Sequence, residues 1–98
     1  MSATTNVILL CDSEDGESVD SLNERLSEKG HEAFEAVEDN AGGERVFVPP
    51  VFLAAFKHTS SLEIAEFVSK QHWHYPGLVR LLCLHDDEEN WKDMELFK

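Results

Sequence analysis

The run Val7-Ile8-Leu9-Leu10-Cys11 constrains this chain more than any other segment. Such a short, continuous apolar stretch, aliphatic and partly β-branched, reads as a strand buried on both faces. Leu78-Val79-Arg80-Leu81-Leu82-Cys83-Leu84 reads as a second strand near the other end. The chain must therefore build a sheet. With 98 residues it has room for one domain, 1–98, around one modest core.

The intervening residues supply the rest. Val19, Leu22 and Leu26 stand at i, i+3 and i+7 among charged residues, one apolar stripe of an amphipathic helix that Gly30 is placed to end. Ala33 to Glu38 alternates in part and gives a second strand. Asp39-Asn40-Ala41-Gly42-Gly43 is a turn by composition. Arg45-Val46-Phe47-Val48 gives a third strand that Pro49-Pro50 brings to its end. Val51 to Phe56 fits either a continued strand or a packed turn. Ser60-Ser61-Leu62-Glu63 opens a second helix, with Leu62, Ala65 and either Val68 or Ser69 on one face and Ile64 and Phe67 widening it. Trp91, Met94 and Phe97, at i, i+3 and i+6, suggest a short terminal helix.

The predicted order is β-α-β-β-α-β-α. Strands two and three, joined as a hairpin, would give a ferredoxin-like split βαβ sheet of the α+β class. Placed on opposite sides of strand one, they would give a small open α/β sheet of parallel, flavodoxin-like type. The short connection favours the hairpin, because a parallel crossover needs a dozen or more residues. The uninterrupted apolar strands favour the parallel sheet.

Charge narrows the partners. Twenty acids against eight bases give −12, distributed as −10 over residues 1–44, +2 over 45–85 and −4 over 86–98. A surface so acidic argues against direct binding to nucleic-acid phosphate. Three readings remain: solubility, a surface that mates with a basic partner or mimics nucleic acid to block one, and salt adaptation. The near-neutral middle weakens the third. No apolar run approaches a membrane span, so no membrane partner is expected. The opening residues lack a secretory pattern, which points to a cytoplasmic location. Cys11 and Cys83 are too few and too far apart for a disulfide scaffold, and both read as core residues.

Several stretches, in order, resemble a Toll/interleukin-receptor (TIR) domain. Val7 to Asp15 is similar to that family's first box, an apolar strand followed by a polar turn. The helix through Leu22 and Leu26 and the segment His31-Glu32-Ala33-Phe34 resemble its first helix and second strand. Asp39 to Glu44 takes the place of its BB loop. Val46 to Ala55, with Pro50-x-Phe52-Leu53, resembles its second box. The resemblance implies a TIR/flavodoxin-like fold, here with the crossover helix between the second and third strands deleted. It implies either an adaptor role or an NAD-cleaving activity, for which Glu63 is the nominated glutamate. The segment Val48-Pro49-Pro50-Val51-Phe52 also resembles glutaredoxins, but Cys11 has no CxxC partner for dithiol exchange.

Read as residues, Glu63 also completes Ser60-x-x-Glu63, a helix capping box. His72, His74 and His85-Asp86 could gather a zinc or nickel ion only by recruiting ligands from several loops, so no metal and no cofactor are expected. Phosphate acceptance of the receiver type is excluded, because the third strand ends in Pro49-Pro50 without an aspartate. Trp73 and Tyr75 flank a Pro-Gly break and are the candidates for an exposed contact surface. The leading expectation is a small acidic protein-interaction module, an adaptor or decoy with a basic protein partner and with homodimerisation open to it. The alternatives are an NAD-cleaving hydrolase and a nucleic-acid-mimicking inhibitor.

Overall fold

The computed structural model describes residues 4–37 and 50–97. The five strands are β1 (Thr4–Leu10), β2 (Glu35–Ala36), β3 (Val51–Lys57), β4 (Arg80–His85) and β5 (Lys92–Asp93). Two helices, α1 (Gly16–Glu28) and α2 (Ser61–Lys70), lie between β1 and β2 and between β3 and β4. The sheet order is β2-β3-β1-β4-β5, and every ladder is antiparallel. The chain is thus a small mixed α/β domain with an open antiparallel sheet.

The parallel, flavodoxin-like order does not form. The apolar run does occupy the centre of the sheet, as β1, but its neighbours β3 and β4 both run against it. Two interleaved β-α-β units produce this arrangement. β1-α1-β2 leaves a gap that β3 fills, and β3-α2-β4 straddles β1. A parallel sheet needs helices on both faces. Here the buried residues of both helices join a single core with Val7, Leu9, Leu81 and Cys83, so one face is covered.

The antiparallel, split βαβ alternative is the one this order agrees with, although the strand paired with β2 is a later segment than expected. Glu35 pairs with Leu53 and Ala36 with Phe52, and the Val37 N–H donates to the Val51 carbonyl at 2.9 Å. The strand that returns is therefore Val51–Lys57, the segment the sequence left between strand and turn. The expected turn at Asp39–Gly43 and third strand at Arg45–Val48 lie outside the described residues. The C-terminal helix is replaced by β5 and an extended tail. The Met94 N–H donates to the Leu81 carbonyl at 2.8 Å, and Met94 and Leu96 pack on the core at a spacing of two, the period of a strand.

Local chemistry sets the helix ends. The α1 stripe Val19, Leu22 and Leu26 is buried as its spacing predicts. Gly30 has φ +78°, its N–H donates to Ser27 O at 3.0 Å, and the His31 N–H donates to Leu26 O at 2.9 Å. These two bonds form a Schellman motif, which a glycine in the left-handed region makes possible. Past it, Asn23 grips the backbone of Phe34 at both ends, accepting from its N–H at 2.8 Å and donating to its carbonyl at 3.1 Å. That amide clamp sets Phe34 against Phe56, with ring centroids 5.5 Å apart in an edge-to-face contact. On α2 the buried residues are Ile64, Ala65 and Val68, whereas Leu62 is 74% exposed. The buried face is rotated from the expected one because packing on the sheet takes Ile64, Ala65 and Val68 into the core.

Candidate functional site: the uncovered face of the sheet

Alternation along the strands sorts the side chains onto two faces. Thr5, Val7 and Leu9 of β1 point to the helices and are buried. Asn6, Ile8 and Leu10 point the other way. In the register of the sheet, Ile8 lies between Leu53 and Leu82, Leu10 between Val51 and Arg80, and Asn6 between Ala55 and Leu84. Glu35 flanks Leu53 at one margin and Asp93 flanks Leu82 at the other. Among the described residues no helix lies on this face, and its centre is aliphatic. Leu53 and Trp91 are each 46% exposed, and Val37 is also exposed. The expectation that β1 is buried on both faces therefore fails on this side.

A groove of about 790 Å³ crosses the face beside β3, lined by Asn6, Ile8, Glu32, Glu35, Leu53 and Trp91 among others. The Glu32 carboxylate accepts the Lys57 N–H at 3.1 Å, which holds it at the rim. Charges on this face are mixed. Lys57 and Arg80 occupy positions on the same side of the sheet, and the Arg80 guanidinium sits 3.4 Å from Asp93.

The nominated residues are placed elsewhere. Trp73 belongs to the core, 6% exposed, with its indole N–H donating to the Val68 carbonyl at 2.8 Å. It is not a surface contact, because aromatic burial and this bond together hold it inward. Tyr75 is exposed, and its hydroxyl donates to the Glu14 carboxylate at 2.9 Å. That bond to a negative group raises the phenol pKa above its ordinary value, helped by the charge on Glu14. The Ser60 hydroxyl accepts the Glu63 N–H at 3.2 Å, as a cap. The Glu63 carboxylate turns instead to His31 Nε2, at 3.1 Å. His31 Nδ1 lies 3.4 Å from Thr59 Oγ1, and its ring meets Phe67 and Phe56 edge-on. Glu63 thus takes part in a junction of α2 with the turns around it.

The histidines divide. His72 and His74 face each other at 6.1 Å between ring centroids. Among the described residues the metal-competent group is His85, Asp86 and Asp87, without the other two histidines. His85 Nδ1 lies 2.7 Å from Asp87 and 3.2 Å from Asp86, and the hydrogen bond to Asp87 raises its pKa above the usual imidazole range. Cys11 and Cys83 are buried free thiols. Burial pushes each up to about 11, and Asp15 and Asp12 add to the effect at Cys11. Such thiols are poor nucleophiles at neutral pH.

Sequence reasoning passed over Asp15. It is fully buried, accepts the His74 N–H at 2.8 Å and the Tyr75 N–H at 3.2 Å, and also accepts the Ser18 hydroxyl at 3.0 Å. Burial acts to raise its pKa, but these donors outweigh it and hold the carboxyl below its ordinary value. Asp15 pins the segment after α2 to the start of α1. The signal was weak, because Asp15 stands in an acidic stretch that reads as a solvated turn. Compared with known proteins, the chain matches no family model, no curated protein and no solved structure.

Proposed function

We propose that this is a protein-interaction module whose contact surface is the uncovered face of its sheet. The supporting observation is the aliphatic row Leu53-Ile8-Leu82, with Leu10, Val51 and Leu84 beside it, on the side of the sheet opposite both described helices. Contiguous apolar patches on a small domain mark places where another protein binds. The proposed partner is basic, with an apolar centre to its own contact surface. A net charge of −12 would speed encounter with such a partner. A second copy of this chain would bring the same charge against itself, so the partner is taken to be a different protein. An adaptor or decoy role fits a module that contributes surface rather than chemistry.

The test uses a strand-forming peptide of alternating leucine and lysine, titrated into isotope-labelled protein and followed by amide and methyl NMR. Shifts should concentrate at Ile8, Leu53, Leu82 and Leu84. A Leu53→Asp variant should weaken binding about tenfold or more, since burying a leucine contributes about 1.5–3 kcal/mol. Shifts confined to the helices, or binding unchanged in Leu53→Asp, would refute the reading. Concentration-dependent dimerisation through the same residues would replace the proposed partner by a second copy.

A further inference from the structure

Resting on that reading, we propose that the groove beside β3 receives a cationic side chain of the docked protein, the guanidinium of an arginine. The groove brings together three features such a side chain needs. Its floor includes Ile8 and Leu53, apolar surface for the methylene stem. Trp91, on the approach to β5, contributes an exposed indole whose face attracts a cation. Glu32 and Glu35 supply two carboxylates, and among the described residues no lysine or arginine lines the groove. Glu35 stands at the sheet margin on the same side as its pairing partner Leu53. Glu32 is fixed through the Lys57 N–H and keeps lone pairs for a second donor. The nearest base placed by register is Lys57, which pairs with Thr4 beyond the Ala55–Asn6 pair. A planar guanidinium suits such a lining, because it can stack on an aromatic face and donate along its edge to a carboxylate. The volume of about 790 Å³ holds one such side chain with space for flanking residues.

The probes are N-acetyl-arginine methylamide and its citrulline counterpart, which has nearly the same shape and no charge. The readout is the indole N–H resonance of Trp91 together with the side-chain amide of Asn6. The arginine probe should move both and saturate, and citrulline should bind at least fivefold more weakly. Glu35→Gln, an exposed change that leaves the backbone pairing intact, should reduce arginine binding by at least fivefold. Equal binding of the two probes would overturn the inference, as would arginine-induced shifts confined to the acidic α1 region with Trp91 unmoved. The leucine–lysine peptide separates the two proposals. If it still binds the face while the arginine probe does not, docking stands and the cation pocket falls. If neither binds, both fall.

Discussion

Asp15 shows what one buried carboxylate does in a domain this small. Its three donors come from two separate parts of the chain, so it acts as a crosslink between the α1 start and the loop before β4. Hydrogen bonds to a charged group are stronger than neutral ones. Asp15→Asn turns one acceptor oxygen into a donor that faces existing donors, and should cost roughly 1–3 kcal/mol in urea unfolding near neutral pH. The pH dependence has a defined sign. A carboxyl whose folded pKa is depressed stabilises the fold above its unfolded value, about 3.8, and loses that contribution as pH falls through the folded pKa. Unfolding curves taken from about pH 6 down to about pH 3 should therefore show a steeper loss in the parent protein than in Asp15→Asn. Parallel slopes would show that the carboxylate carries no such linkage.

At the scale of elements, legibility followed periodicity. Val19, Leu22 and Leu26 announced α1 because polar residues surround the stripe, and Gly30 announced its end because the next turn requires positive φ. Gly30→Ala should destabilise the domain by about 1 kcal/mol or more, read as a lower thermal midpoint, since an alanine must be forced into that region. A midpoint unchanged by the substitution would mean that the Schellman turn opens freely. Other elements were ambiguous for physical reasons. Val51 to Phe56 is apolar on both faces of β3, so alternation carried no signal. Leu62 and Ile64 both suit an apolar stripe, and packing against the sheet decides between them. Trp91, Met94 and Phe97 match a helical period by spacing alone, while Met94 and Leu96 match the strand period that pairing with β4 selects. The proposed contact face was not legible for a related reason. An apolar run such as Val7–Cys11 reads as buried on both sides, and only the sheet order shows that both described helices lie on one side.

At the scale of the molecule, the two α-helices among the described residues both pack on one face of the five-stranded sheet. Antiparallel pairing tolerates that arrangement, because an antiparallel sheet can present one face to water. Here the side facing water keeps Ile8, Leu10, Leu53, Leu82 and Leu84 rather than exchanging them for polar residues. The proposed docking surface would account for that choice, and the chain's acidity is the ground for proposing a basic partner. The most direct measurement is paramagnetic relaxation of methyl protons by a soluble gadolinium chelate in the free protein at low concentration. The methyls of Leu53 should relax almost as fast as those of exposed Leu62, with Leu82 and Leu84 intermediate and buried Leu22 slow. Leu53, Leu82 and Leu84 relaxing as slowly as Leu22 would mean that the face is already covered, and the proposed contact surface would not exist.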